Sequence, residues 1–135
     1  MNKFEQARNN FNGLIEKYGW AAHYVLLDAN HINYHTHGLV ENFNHCDLQI
    51  VLPISMEAAH GVVSKMIDDI KNGLKFYEGI KYTGYIKQGY DVKFMSFTEC
   101  ERPVLRVLFP DSKGYIPDQN ECEEGFKYQL DVLED

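Results

Sequence analysis

The 135-residue sequence has no hydrophobic run long enough to cross a bilayer. A membrane-spanning helix needs roughly 20 consecutive apolar residues, and the N-terminal segment Met-Asn-Lys-Phe-Glu lacks the apolar stretch of a secretory signal peptide. These absences predict a soluble, cytoplasmic protein with no membrane partner.

Cysteine is scarce, and its spacing is not that of a disulfide or zinc framework. The three residues Cys46, Cys100 and Cys122 make an odd number, and no Cys-x-x-Cys pair occurs. Disulfide frameworks use even numbers of cysteines, and structural zinc sites use closely spaced pairs. We therefore expect free thiols in a reducing compartment and no zinc knuckle.

Clusters of lysine or arginine are also missing. The net charge is −7, and residues 118–135 contain seven acidic residues against the single base Lys127. Non-specific binding to nucleic acid or anionic lipid depends on clustered basic residues, so neither is an expected partner. The acidic tail from about residue 118 is interpreted as a solvated surface, with docking on a basic protein as the alternative.

The common catalytic motifs are absent as well. The sequence contains no Walker loop, no Gly-x-Gly-x-x-Gly fingerprint, no Gly-x-Ser-x-Gly elbow and no His-Glu-x-x-His helix. Each of these motifs builds a specific phosphate, nucleophile or zinc site. Without them, the sequence predicts no cofactor and favours a non-enzymatic role.

Two helices are predicted from apolar residues that recur at spacings of three and four. The first covers residues 2–18 and ends at Gly19, and the second covers residues 55–74, with Ser55 as its N-cap. A weaker helix is expected around residues 121–133. The apolar stripe of the first helix consists of Phe4, Ala7, Phe11, Leu14, Ile15 and Tyr18, and that of the second of Met56, Ala59, Val63, Met66, Ile67, Ile70 and Leu74.

Six segments have the composition of strands, and they occur in two runs of three. They cover residues 20–28, 31–37, 47–52, 80–86, 90–97 and 104–109, with a loop at residues 40–44. Within the first, the run from Val25 to Leu27 is so apolar that we expect neither face to be wet. Runs of strands predict an α+β fold, in which a largely antiparallel sheet of five to six strands is packed by an N-terminal and a central helix. Residues 1–135 should form a single domain.

Several landmarks resemble the bacterial domain-of-unknown-function 4262 family over roughly residues 14–126. They are Gly19-Trp20 with His23, Thr36-His37-Gly38-Leu39, His45-Cys46-Asp47-Leu48, Asn72-Gly73, Phe76, Gly79, Pro103-Val104-Leu105, Phe109-Pro110-Asp111 and Gly114. The resemblance implies a similar fold and supplies no reaction. Members occur in bacteria and their phages, which leaves open an immunity role or the sequestering of a small molecule or nucleotide.

The histidines of the second strand form the first candidate site. Alternation along a strand places His31, Asn33, His35 and His37 on one face. Two histidines at i and i+2 can share a metal ion, and His45 or His23 could join them from neighbouring elements. The alternatives are a non-metal ligand and an ordinary wet face of an edge strand.

Three other residues are candidate ligand contacts. Arg106 lies in an apolar strand, where an unpaired charge is costly, so it either meets solvent or an acid, or binds a carboxylate or phosphate. Tyr82 and Tyr85 belong to an aromatic-rich region that could line a pocket or simply pack on the helices. A nucleophile formed by His45 and Cys46 is disfavoured because adjacent residues of an extended chain point to opposite faces.

These observations lead to one preferred interpretation and one rival. The preferred interpretation is a non-enzymatic module that binds a protein or small-molecule ligand through His35, His37, His45, Arg106, Tyr82 and Tyr85. The rival is a metal-dependent enzyme that uses His35, His37 and His45.

Overall fold

A computed structural model describes residues 2–28, 31–99 and 101–133. Its elements are, in chain order, α1 (Lys3–Tyr18), β1 (Ala21–Asp28), β2 (His31–His37), α2 (Leu39–Phe43), β3 (Asp47–Ile50), α3 (Met56–Lys71), β4 (Lys81–Tyr82), β5 (Val92–Glu99), β6 (Arg102–Leu108) and α4 (Glu124–Lys127), with 3₁₀ turns at Lys87–Gly89 and Tyr128–Leu130. In the described part of the chain, no helix has both the length and the apolar character needed to cross a membrane.

The six strands form one sheet in the order β1-β2-β3-β6-β5-β4. Every neighbouring pair is antiparallel except β3 with β6, which is parallel. This arrangement confirms the predicted α+β class with a largely antiparallel sheet, an N-terminal helix and a central helix. Strand β1 lies at one edge of the sheet.

Helix α3 covers one face of the sheet and forms the main core with it. The Ser55 hydroxyl accepts a hydrogen bond from the backbone N–H of Ala58 at 3.1 Å, as predicted for an N-cap. The helix buries Ala59, Val63, Met66, Ile67 and Ile70, which pack on sheet residues that include Tyr34, Leu48, Ile50, Phe94, Leu105 and Val107. Burying each of the larger side chains contributes roughly 1.5–3 kcal/mol to stability.

The opposite face of the sheet carries a row of buried polar side chains. Cross-strand partners share a face, so the pairing of His35 with Gln49, and of Gln49 with Arg106, places all three on this side. Arg106 is only 1% exposed, and its guanidinium donates to the backbone carbonyls of Gln129 and Asp131 at 2.8 and 2.6 Å. The C-terminal segment, predicted to be a solvated tail, is thereby docked on the sheet.

Two apolar segments are less covered than the sequence predicts. Helix α1 forms over the predicted range, yet none of its residues is buried. On β1, Val25, Leu26 and Leu27 are 42%, 70% and 43% exposed, so the prediction of two covered faces is wrong. Composition shows that a strand is apolar, but only the strand order shows that β1 lies at the edge of the sheet, where the second half of the strand is exposed.

Two local predictions are also corrected. The predicted loop at residues 40–44 is largely the single-turn helix α2, which follows Gly38 at φ +105°. The predicted strand 80–86 is reduced to β4, because Gly79, Gly84 and Gly89 adopt positive φ values around it. Cys100 and the turn residues 29 and 30 lie outside the described residues.

Candidate metal centre

Three histidines meet on the polar face of the sheet, at its β1 edge. One ligand atom from each of His23, His35 and His37 lies within 4.8 Å of the others. His35 and His37 alternate on β2, and the β1–β2 register places His23 directly opposite His35. The ring centroids of the three pairs are 5.0–5.4 Å apart. We call these three residues the histidine cluster.

The tautomer of His35 is fixed by a chain of hydrogen bonds that begins at Arg106. Arginine only donates hydrogen bonds, so Oε1 of Gln49 must accept the bond from Nε of Arg106, which lies 2.8 Å away. The Gln49 Nε2 then donates to Oδ1 of Asn33 at 2.9 Å, and Nδ1 of His35 lies 3.1 Å from the same oxygen. Nδ1 must therefore carry the His35 proton. The Nε2 lone pair remains available to bind a cation.

Two acidic residues and an arginine adjoin the cluster. Oε1 of the buried Glu99 lies 3.7 Å from Nε2 of His35. Arg102 donates to Oδ2 of Asp47 at 2.5 Å and to the carbonyl of Thr36 at 2.7 Å, and its Nη2 lies 3.6 Å from Glu99. Arg102 is thus shared between the two acids, and burial raises the pKa of Asp47 against the lowering effect of its hydrogen bonds and of Arg102.

Burial keeps two of the cluster rings neutral. It lowers the pKa of His35, against the opposing effect of Glu99. The pKa of His37 is lowered to about 4, first by burial and then by the Arg102 charge. The Nη2 of Arg102 lies 3.5 Å from Nε2 of His37, so a metal ion bound at that nitrogen has to displace this contact. Neutral imidazole is the form that binds metal ions.

The cluster is covered in part by helix α1. The Phe11 ring centroid is 4.1 Å from that of His23 and 5.5 Å from that of His37. His35 is buried and His37 partly so, but His23 remains exposed. The cluster thus has an apolar cover and a solvent-accessible side, through which an ion or a small ligand can enter.

Three imidazoles with a nearby carboxylate match the ligand preferences of Zn²⁺, Cu²⁺ and Ni²⁺. In a tetrahedral zinc site with bonds of about 2.0 Å, the ligand nitrogens lie about 3.3 Å apart. The ligand atoms of the cluster lie within 4.8 Å of one another, so a bound ion requires the rings to move closer together.

His45 is not part of this cluster. Its Nδ1 bonds the carbonyl of Cys46 at 2.7 Å, and its Nε2 accepts a hydrogen bond from the backbone N–H of Phe76 at 3.0 Å. Both ring nitrogens are committed, and the ring is buried. The structure gives His45 a structural position, and its predicted ligand role remains a prediction.

The remaining predicted contacts also lie apart from the cluster rings. Tyr82 and Tyr85 pack edge-on against Phe76, on the face covered by α3. The Tyr85 hydroxyl donates to Asp69 at 2.5 Å. Arg106 shares the cluster's face but bonds Gln49 and the C-terminal segment. Their ligand roles remain predictions, while Arg106 acquires the orienting role described above.

Two residues near the cluster, Glu99 and Arg102, were missed as site residues. They pair across the β5–β6 hairpin, whose end approaches β2 because β6 runs parallel to β3 beside it. The available signal was a pair of opposite charges between the predicted strands 90–97 and 104–109. It could not be used without knowing that β6 returns to the middle of the sheet.

Comparison with known proteins gives a family and no relative of known function. A family model described as a domain of unknown function (DUF4262) matches residues 14–123, a range that contains the whole sheet and the histidine cluster. Neither the curated proteins nor the solved structures give a match. The chain belongs to the DUF4262 family.

Proposed function

We propose that this protein binds a transition-metal ion of the zinc class through His23, His35 and His37. The observation that carries the proposal is the convergence of three imidazoles from two paired strands. A wet strand face would leave all three rings in water, whereas His35 is only 5% exposed and His37 is half-buried, with His23 on the solvent side. In this proposal the protein is a binding module, and the metal ion is its ligand.

The surroundings of the cluster support this proposal. Metal-binding histidines usually donate their second ring N–H to an oxygen, which fixes the tautomer and the ring plane. His35 has such a partner in Asn33, which is itself held by Gln49. Imidazole and carboxylate ligands favour Zn²⁺, Cu²⁺ or Ni²⁺ over softer ions.

Glu99 favours a second candidate function, metal-dependent hydrolysis. Catalytic zinc sites keep three protein ligands and leave the fourth position to water. Glu99, at 3.7 Å from Nε2 of His35, would accept a proton from such a water. If Glu99 instead ligates the ion, the site is closed and serves binding alone.

The test is metal analysis of the untagged protein. After chelation and reloading with Zn²⁺ or Co²⁺, we expect one equivalent of metal per chain by elemental analysis, with the visible spectrum of tetrahedral Co²⁺. His35→Ala and His37→Ala should lose it. His31→Ala and His60→Ala, which change histidines outside the cluster, should retain it.

Two outcomes would overturn the proposal. One is a wild-type chain that binds no ion under these conditions. The other is a bound ion that His35→Ala leaves in place with unchanged affinity, because the ligands would then lie elsewhere.

A further inference from the structure

A groove of about 650 Å³ lies between helix α1 and helix α3, on the sheet face opposite the histidine cluster. Its floor includes Ala22 and Tyr24 of β1, which alternate with His23 and therefore point away from the cluster. The small side chain of Ala22 leaves room above the floor. The volume of the groove falls within the range of small-molecule sites, roughly 300–1,000 Å³.

Aromatic rings make up much of the lining. The Trp20 indole stacks on the His60 imidazole, with ring centroids 5.3 Å apart and an angle of 20° between the ring planes. The hydroxyl of the buried Tyr34 lies 3.1 Å from Nδ1 of His60 and holds that ring in place. Tyr18 and Tyr24 also line the groove. Rings of this kind offer an occupant apolar area and electron-rich faces.

The wall that α3 contributes is polar instead. Its residues recur at helical spacings of three and four, which places them on one face of the helix. They are Glu57, His60, Ser64, Asp68 and Lys71, and all five line the groove. The groove therefore has an aromatic side and a polar side. In small-molecule sites the apolar lining holds the body of the ligand, and a few polar groups fix its orientation.

The charges of this polar wall favour a cation. Within the described residues, the carboxylates of Glu57 and Asp68 have no hydrogen-bond or ion-pair partner. Lys71 directs its ammonium over the Phe43 ring of α2, at 5.4 Å from the centroid. The two acids outnumber the one lysine of the wall, so a positively charged occupant is attracted and a negatively charged one is repelled.

We propose that this groove binds a small organic ammonium ion with an aromatic body. The faces of tryptophan and tyrosine attract ammonium ions, tryptophan most strongly, so Trp20 and the two carboxylates favour the same kind of charged group. Leu14 and Met56 also line the groove and are exposed, and an aromatic body that covers them removes apolar surface from water. A groove of this volume suits an organic molecule rather than a bare metal ion.

The experiment titrates the metal-free protein with three probes that share a phenyl ring and differ in charge. The probes are phenethylammonium, phenethyl alcohol and phenylacetate. The readouts are the emission of Trp20, the single tryptophan of the chain, and isothermal calorimetry. We expect phenethylammonium to bind roughly tenfold more tightly than the alcohol, which is the ratio that a cation–π contact aided by a carboxylate supplies. Phenylacetate should bind most weakly.

Variants of the lining test whether the probes bind in this groove. Ala22→Met fills the floor and should abolish the binding of all three probes. The double variant Glu57→Gln, Asp68→Asn should lower the affinity for phenethylammonium to that for the alcohol, and Lys71→Gln should raise it. Glu121→Gln removes an exposed acid elsewhere on the chain and should keep the wild-type affinity. Thermal unfolding checks that each variant is folded.

Three outcomes would overturn the proposal. The first is a wild-type chain that binds none of the probes by emission or by calorimetry. The second is equal affinity for phenethylammonium and the alcohol, which would leave the groove to a neutral ligand. The third is a preference for phenethylammonium that the double variant of Glu57 and Asp68 retains. The assay contains no metal ion, so its result does not depend on the metal proposal.

Discussion

Arg106 orients His35 from two strands away. Its guanidinium cannot accept a hydrogen bond, so the hydrogen bonds from Arg106 through Gln49 to Asn33 can be donated in only one direction. The Asn33 oxygen at the end of this series accepts a hydrogen bond from His35, so Nδ1 of His35 carries the proton. A residue that the sequence marks as a costly buried charge thereby controls which nitrogen of a distant ring is free.

Reversing the hydrogen bonds that run from Arg106 to His35 should weaken metal binding without removing a metal ligand. In Gln49→Glu, a carboxylate faces both Arg106 and Asn33. A carboxylate only accepts hydrogen bonds, so the Asn33 amide must rotate to present its NH₂ group in place of its oxygen. His35 then loses its acceptor and favours the tautomer with the proton on Nε2. We expect metal affinity to fall about 10–100-fold, in the range seen for changes of orienting partners.

The measurement is competition against a chromophoric chelator, with ¹⁵N NMR of the histidine rings to report the tautomer. Gln119→Glu is the matched control, because Oε1 of Gln119 accepts from the backbone N–H of Ile116 at 2.8 Å and a carboxylate does so equally well. An unchanged affinity in Gln49→Glu would contradict the orienting role of Arg106.

Glu99→Gln should separate the two candidate functions. Because three histidines suffice to hold the ion, we expect stoichiometric metal to remain and the hydrolysis of 4-nitrophenyl acetate, if the loaded wild type shows it, to be lost. The control is Glu101→Gln, an exposed acid on the same hairpin. Loss of the metal itself in Glu99→Gln would make Glu99 a ligand and leave binding as the function.

His45 should make the fold sensitive to acid. Burial lowers its pKa in the folded protein, and a protonated ring could no longer accept the Phe76 N–H. Its contribution to stability is therefore present above the unfolded pKa of about 6.5 and is lost as the pH falls, by up to about 1.4 kcal/mol per pH unit.

Chemical denaturation of the metal-free protein between pH 7.5 and 5 measures this loss. His45→Asn should be less stable at pH 7.5 and have a smaller pH dependence than the wild type. Phe76→Leu is destabilised at the same place but keeps the titrating group, so it should keep the wild-type dependence. Equal slopes for His45→Asn and wild type would show that His45 does not titrate with folding.

Replacing glycine by alanine should lower the stability of the protein at position 38 and raise it at position 13. Gly38 has φ +105°, and a Cβ there would lie 2.7 Å from the carbonyl oxygen of Gly19. Gly38→Ala should therefore cost about 1–3 kcal/mol or more, since backbone strain adds to a clash with main-chain atoms. Gly13 lies within α1 and has nothing within 4 Å of that position, so Gly13→Ala should stabilise by about 0.5–1 kcal/mol.

Thermal or denaturant unfolding of the two variants gives the comparison directly. Gly38 follows the cluster residue His37, so Gly38→Ala should also weaken metal binding, whereas Gly13→Ala should not. A Gly38→Ala variant as stable as the wild type would mean that the turn after β2 is looser than the structure indicates.

The sequence by itself determined the features that depend on local periodicity. The 3.6-residue repeat predicted α1 and α3, and the Ser55 cap was read from residue type and position. The two-residue repeat of β2 placed His35 and His37 on one face, because alternation is a property of any strand.

Only the tertiary structure decided which distant residues meet. The register of β1 against β2 brought His23 to the cluster, while His45, close in sequence, was held by Phe76 instead. The parallel pairing of β3 with β6 placed Glu99 and Arg102 beside the histidine cluster. Strand order left Val25, Leu26 and Leu27 exposed, although composition predicted burial. Pairing, register and edge position arise from contacts between segments far apart in the chain, and a local pattern carries no information about them.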